Sequence, residues 1–396
     1  MKQTARIIST YSADTFGVCS ALFELGGMVV MHDASGCNST YTTHDEPRWY
    51  DMDSMVYISG LSEMEAIMGD DEKLIGDIAE AANALKPKFI ALVGTPIPAM
   101  TGFDFTAVAE LIEERTRIPT FGFATTGMNT YVTGASMAFE GIARRFVKRD
   151  VEKTTHLSVN ILGLTPLDFS VNGSDQSVKT FLEREGFEVI SSWAMGSSLE
   201  EIANAGRASV NLVVSAAGLG AAKALKEMFG TPYVAGTPIG AAYQNVLAQR
   251  LLEAAKTCKM PEDGKGTVWP SSIPASDIAV IGEGITSLSL AQAIELEYCR
   301  GVKVLCATEC EKALLREKDV LTPYEDDIIE ALQGIKMVIA DPLYRPICPK
   351  NAKFIPLPAE NFSGRIYRSH IPNLIAEFEL WKNRYTRKQE MWIPEM

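Results

Sequence analysis

The chain has no Cys-x-x-Cys pair. A zinc ribbon or a ferredoxin-type cluster built by this chain alone is therefore not expected. Its seven cysteines are an odd number, which argues against a disulfide framework. There is no Gly-x-x-x-x-Gly-Lys-Ser/Thr loop, so ATP hydrolysis, if the system uses it, belongs to a separate protein. Gly282-Glu283-Gly284 follows an apolar strand pattern, but the third glycine of a dinucleotide fingerprint is missing, and no NAD site is expected. No run reaches ~18 uncharged apolar residues, so no membrane span is expected. The opening MKQTARIISTYSADTFG is basic at its start but has no apolar core. It does not read as a secretory leader, and the expected location is the cytoplasm. A net charge of −13 disfavours nucleic acid as a partner. It suits an electron donor with a basic docking face, although a solvated acidic surface is the commoner cause of such a balance.

What is present is a repeated βαβ pattern. With 396 residues the chain is too long for one ordinary core. Short apolar runs at 88–93, 118–123, 157–162, 187–190, 210–214 and 233–235 read as strands, as do 277–281, 302–306, 337–340 and 354–356. Gly/Pro loops and helical patterns (72–85, 105–115, 176–185, 199–205, 221–229) alternate with them, which implies parallel sheets. Ser174 or Asp175 is the expected cap of the 176–185 helix. A Gly/Pro/Ser-rich linker at 264–274 separates the later blocks. The expected fold is α/β: three consecutive Rossmann-like doubly wound domains around a central cleft, at residues 1–155, 156–270 and 271–396. The tail from residue 377, with Trp381, Tyr385 and Trp392, is expected to pack on a partner or on its own chain.

The stretch His32-Asp33-Ala34-Ser35-Gly36-Cys37 carries the most chemistry. A cysteine after a Ser-Gly turn can seat one corner of an iron–sulfur cluster at a domain edge, with Gly36 allowing close approach. Asp33 can serve as an oxygen ligand or cap the turn. Cys19 lies in apolar GVCSALFEL, where core packing competes with ligation. Cys299, Cys306 and Cys310 form a looser C-x6-C-x3-C set, read mainly as core and loop thiols.

MHDASGC, SEMEAIMG, NILGLTPLDFSVNGSDQSVKTFLEREGFEV and VNLVVSAAGLGAAKALKEMFGTPYV, in this order and spacing, resemble segments of the nitrogenase component 1 family, its beta-type subunits especially. That family includes nitrogenase, the dark-operative protochlorophyllide and chlorophyllide reductases, and the reductive cyclase of nickel-tetrapyrrole biosynthesis. Of the three cysteines that a family subunit gives to the bridging cluster, only Cys37 is matched. The others fall near Ser12 and on Pro96. The cofactor cysteine is matched by Ser215, and the cofactor histidine by Pro358 before Asn361-Phe362-Ser363-Gly364. The resemblance therefore implies neither a full bridging cluster nor an iron–molybdenum cofactor, and nitrogen reduction is not expected.

It does imply a 4Fe–4S-type cluster shared at a subunit interface, with Cys37 as this chain's metal ligand and Cys19 the next thiol a homodimer would offer. The partner would be an identical or homologous component 1 subunit. Electrons would come from an ATP-dependent homodimeric iron–sulfur reductase, whose basic face could meet the acidic segment 63–71. In doubly wound sheets ligands bind beyond the carboxyl ends of strands, so loops 95–101, 165–174, 215–219, 237–243 and 341–348 are the expected cleft. Tyr344, Arg345 and Arg365 could hold the carboxylates of a tetrapyrrole-like substrate. His44, beside Asp45, Glu46 and Arg48, could donate protons. With Ser215, His44, Tyr344 and Arg345 make the expected catalytic set. Two other roles remain open: a scaffold for metal-cluster assembly, and a redox-inert small-molecule binding protein. Iron content separates the last from the others.

Overall fold

The structure is a computed structural model and describes residues 5–36, 46–261, 266–267, 269–271, 273–275 and 277–386. Its first domain runs α1 (Asp14–Leu22), β1 (Met28–Met31), β2 (Met55–Ile58), α2 (Glu63–Met68), α3 (Asp71–Leu85), β3 (Ile90–Val93), α4 (Pro96–Thr101), α5 (Phe105–Thr116), β4 (Thr120–Phe123) and α6 (Tyr131–Phe146). The sheet is parallel, in the order β2-β1-β3-β4. Alternation along β1 explains its two faces. Met28 and Val30 pack with Leu74, Ile78 and Ile112 of α3 and α5, whereas Val29 and Met31 pack with Val18 and Phe139 of α1 and α6. Helices cover both faces, which is why β1 and β3 are apolar throughout.

α1 and α6 touch backbone to backbone. A Cβ on Gly134 would overlap the Asp14 carbonyl oxygen, and one on Gly17 would overlap that of Tyr131. The Asp14 carboxylate accepts from the Gly127 amide at 2.7 Å and from Asn129 Nδ2 at 3.1 Å, and Tyr131 N donates to Ser12 O at 2.7 Å. The start of α1 is thereby fixed to the loop that leads into α6.

The middle domain contains β5 (Ser158–Leu164), α7 (Pro166–Phe169), α8 (Ser174–Arg184), β6 (Glu188–Ala194), α9 (Leu199–Ile202), β7 (Val210–Val213), α10 (Leu219–Phe229), β8 (Tyr233–Ala235) and α11 (Ala241–Thr257). Strand order is β6-β5-β7-β8, again parallel. Asn160 is level with Ser191 on one side and Asn211 on the other. Its amide donates to Asn211 Oδ1 at 2.7 Å and accepts from Ser191 Oγ at 2.8 Å, so this buried polar row is linked across three strands, with Asn211 Nδ2 left without a partner. Helix α8 begins at Ser174, two residues earlier than expected, and its cap is Gly173 at φ 84° rather than Ser174 or Asp175. Ser174 instead donates its hydroxyl to Asn172 Oδ1 at 2.6 Å.

The last domain comprises β9 (Ile278–Gly282), α12 (Gly284–Tyr298), β10 (Val302–Cys306), β11 (Val320–Leu321), α13 (Glu325–Ala331), β12 (Met337–Ala340), β13 (Lys353–Pro356), α14 (Glu360–Tyr367) and α15 (Leu374–Thr386). The order is β11-β10-β9-β12-β13, all parallel. Trp381, only 4% exposed, packs with Phe378 and Ile375 in the core that joins the middle and last domains, so this part of the tail folds on its own chain. An N-terminal strap completes the domain's edge. The amides of Arg6, Ile7 and Ile8 all donate to Glu325 Oε2, at 2.7, 2.7 and 3.1 Å, and Ser12 N reaches Asn361 O at 2.8 Å. Among the described residues no helix is long and apolar enough to cross a membrane.

Candidate functional site

Each sheet reverses its strand order at one point, and loops leaving the carboxyl ends there diverge to leave a crevice. In the first sheet the reversal lies between β1 and β3, and His32–Gly36 leaves β1 at that point. In the middle sheet it lies between β5 and β7, placing Thr165–Ser170 and Ser215–Gly218 side by side. In the last sheet it lies between β9 and β12, placing Glu283 beside Asp341. The middle and last crevices face each other: Ala216 N donates to Glu283 Oε1 at 2.9 Å.

Between them is a chamber of about 100 Å³ whose wall includes Asp168, Glu283, Asp341, Tyr11, Asn361 and Pro358. A second cavity of about 980 Å³ opens between the first and last domains. It is bounded by the strap, the loops after β3, β4, β10, β11 and β12, and α14; Tyr11, Asn361 and Phe362 border both spaces. Its polar lining is mostly hydroxyl and amide, with the carboxylates of Glu309 and Glu360. Both carboxylates are engaged. Glu309 accepts from Thr130 N at 2.9 Å and from the Thr130 hydroxyl, bridging first and last domains. Glu360 pairs with Arg368 through Oε1 at 2.7 Å and accepts from Ser170 Oγ at 2.9 Å.

At the junction of the three domains stands a polar node. The Tyr131 hydroxyl donates to Asp168 Oδ1, Asn361 Nδ2 donates to the Tyr131 hydroxyl at 2.8 Å, and Thr165 Oγ1 donates to Asp168 Oδ2 at 2.8 Å. Burial, and then the nearby Glu283 carboxylate, push the Asp168 pKa up to about 7, against the hydroxyls of Tyr131, Thr165 and Ser215. Burial also raises Asp341, whose carboxylate accepts from Ser363 Oγ and from the amides of Leu343 and Ala359. The arrangement can hold and release a proton near neutrality beside an enclosed space.

The expected site residues distribute unevenly around this geometry. Tyr344 is buried and borders the cavity, its hydroxyl donating to that of Tyr11 at 2.9 Å. Arg345, its neighbour, is exposed on the other side of the same turn, its guanidinium 5.9 Å from the Phe354 ring centre. Ser215 is buried behind the chamber, donating to Gly163 O at 2.8 Å. Cys19 is buried in the first core, where burial raises its thiol pKa far above the ordinary value. Asp33 is buried and its Oδ1 accepts from Thr95 Oγ1 at 3.1 Å. Ala34, Ser35 and Gly36 are exposed, so the chain reaches the surface directly before Cys37. Cys37 and His44 lie outside the described residues, and Arg365 falls within α14. The Cys306 and Cys310 sulfurs converge on Gly284, where a Cβ would stand 3.3 and 2.6 Å from them. Among the described residues no group of three or more His, Cys, Asp or Glu is placed to hold a metal ion.

Sequence reasoning misses Asp168, Tyr131 and Asn361 as site residues, although it does point to the loop that holds Asp168. The available signal is an acid two residues past Thr-Pro at a strand's carboxyl end.

Comparison with known proteins agrees with this geometry. The model of the nitrogenase component 1 type oxidoreductases matches residues 14–274. The nitrogenase iron-molybdenum cofactor biosynthesis protein NifE of Rippkaea orientalis is 25% identical over 70% of this chain and 57% of its own length. The nitrogenase molybdenum-iron protein alpha chain of Clostridium pasteurianum is 25% identical over 58% of this chain and 42% of its own. One subunit of the light-independent protochlorophyllide reductase of Prosthecochloris aestuarii is 35% identical, over 26% of this chain and 20% of its own. The chain thus spans little more than half of the first relative's length and less of the others. A solved structure, nitrogenase Cp1 at pH 6.5, superposes with a TM-score of 0.67 at 16% identity, covering 98% of this chain and 96% of that one, and shows the shared fold. Three parallel doubly wound sheets in series, closing on a cleft, and a family match over most of the chain make it a member of the nitrogenase component 1 type oxidoreductases.

Proposed function

We propose that the chain is a nitrogenase-like component 1 subunit that reduces an organic substrate, not dinitrogen, in the 980 Å³ cavity between its first and last domains. The observation carrying this reading is the cavity itself. Its volume suits an organic molecule, and it shares Asn361 with the smaller chamber, whose wall holds a carboxyl group poised near pH 7. Electrons would come from an ATP-dependent iron–sulfur reductase through a 4Fe–4S-type cluster. Cys37 would hold one corner, and an identical or homologous component 1 subunit would give the remaining ligands. The exposed Ala34-Ser35-Gly36 approach fits such sharing. When bound, the cluster would supply single electrons. Asp168, on the wall of the adjoining chamber, would exchange a proton near neutrality, and Tyr131 and Asn361 would orient its carboxyl group.

A tetrapyrrole-like substrate is the class that the family resemblance favours. Of Tyr344 and Arg345, the residues expected to hold its carboxylates, only Tyr344 borders the cavity. A second reading, a scaffold for a metal-cluster precursor, is favoured by the relatives named as cofactor biosynthesis proteins. The buried, hydrogen-bonded Ser215 weakens it, because the matched position offers no thiolate.

The test is anaerobic iron and sulfide analysis with EPR of dithionite-reduced protein, alone and with a co-purified homologue, comparing wild type with Cys37→Ala. A cluster present only in the wild type supports the redox reading. Iron-free protein in every combination would overturn it, and a cluster without reductase-dependent turnover would favour the scaffold.

A further inference from the structure

Two polar side-chain atoms on the cavity wall are buried and unpartnered: Asn361 Oδ1 and Thr308 Oγ1, on residues 4% and 2% exposed. Buried polar atoms are normally paired, so both are candidates for a ligand group or an ordered water.

The hydrogen-bond logic of the node fixes which end of the Asn361 amide is free. With Asp168 ionised, Tyr131 gives its one hydroxyl proton to that carboxylate. Toward Asn361 the same oxygen can then only accept, so the amide must turn its Nδ2 to it. A weaker contact from Nδ2 to Asp168 Oδ1, at 3.5 Å, favours the same orientation. Oδ1 is left as a buried acceptor without a partner, on a residue that borders the cavity. A carboxylate placed there would meet acceptor against acceptor. The Glu309 carboxylate, next in sequence to Thr308, adds like charge on the same wall.

We propose that the cavity selects a neutral or cationic ligand that donates an N–H or O–H hydrogen bond to Asn361 Oδ1, with Thr308 Oγ1 as a second polar anchor. The proposal rests on the cavity being the substrate site and narrows the substrate's recognised end to a carboxamide, amine or alcohol rather than a carboxylate.

A matched trio of probes tests it: 2-naphthamide, methyl 2-naphthoate and 2-naphthoate, titrated against the full chain by ligand-observed NMR at about pH 8.5, where Asp168 is ionised. The amide, which can donate, should bind at least tenfold more tightly than the carboxylate, with the ester between. Asn361→Leu should abolish the amide's advantage. Because that change could unsettle the node, Thr308→Val is the companion variant, and it should weaken the amide several-fold while leaving the far-UV spectrum unchanged. Equal or tighter binding of the naphthoate overturns the proposal, as does amide binding indifferent to both variants or no binding of any probe. Cys37→Ala should leave the probe ranking intact, so loss of the cluster and loss of this selectivity are read separately.

Discussion

The Tyr131 hydroxyl, from the first domain, donates to the Asp168 carboxyl group, from the middle domain, while the last domain's Asn361 donates to that same hydroxyl. One phenol thus joins three domains by one proton and one lone pair. Tyr131→Phe keeps the ring, which is fully buried, and deletes the joint. It leaves Asp168 Oδ1 and Asn361 Nδ2 short of a partner, at an expected cost of about 1–3 kcal/mol. Urea denaturation should show this as a lower midpoint with an unchanged slope. A midpoint equal to wild type would mean that the joint does not contribute.

Asp168 makes stability depend on pH. Its folded pKa is about 7, raised above the ordinary value of 3.8. Between these values the folded chain keeps a proton that the unfolded chain has lost. Stability therefore falls as pH rises from about 4 to about 7 and is constant above, as far as this group is concerned. Asp168→Asn removes the titration. The difference in unfolding free energy between variant and wild type should shift in the variant's favour across that window. A difference independent of pH would place the folded pKa near its ordinary value.

His32 acts with the opposite sign over an overlapping window. Burial pushes its pKa down to about 4, opposed by the charges of Asp33 and Glu65. The ring lies against Phe103, tilted by 44° with centroids 4.5 Å apart, and Nδ1 lies 2.9 Å from Ser59 Oγ. The unfolded chain takes up the proton first as pH falls. The neutral ring's contribution is fully present above about 6.5 and is lost on descending toward pH 4. His32→Gln should flatten this acid limb, measured by thermal unfolding at half-unit pH steps. Persistence of the full limb would assign it to other groups.

Gly134→Ala tests the α1–α6 contact. The new methyl group meets the Asp14 backbone carbonyl, which cannot rotate aside. Overpacking of this kind costs about 1–3 kcal/mol. Calorimetry should show a lower Tm, whereas Gly76→Ala on the open face of α3, where a Cβ meets nothing within 4 Å, should not lower it.

Fold class and family were legible in the sequence because both rest on order and spacing. Several elements were not. Met28–Met31 is four apolar residues with no period to distinguish strand from helix. Helix α12 is buried on nearly every side, from Ile285 to Glu295, so it shows no amphipathic stripe. Arg345 was expected to face the cleft with Tyr344, but the two lie on opposite sides of a tight 3-10 turn over Pro342–Ile347. Asp168 and Asn361 stand 193 residues apart in sequence, and only the folded chain shows that they share a partner. Cys37, the most legible residue of all, lies outside the described structure.

The strap and the α1–α6 contact together limit how far the cavity can widen. α6 and α1 form a fixed jaw, because backbone presses on backbone with no side chain between to yield. Glu325 and Asn361 belong to the other jaw. The strap is a tie rod between them: Ile8 is clamped to Glu325, and Ser12 to both jaws, by its amide to Asn361 O and by its carbonyl to Tyr131 N. Five residues, even fully drawn out, span no more than about 18 Å. Once Ser12 N leaves Asn361 O, the strap lets the jaws part only by the slack in that short length, unless Glu325 also lets go of its three amides.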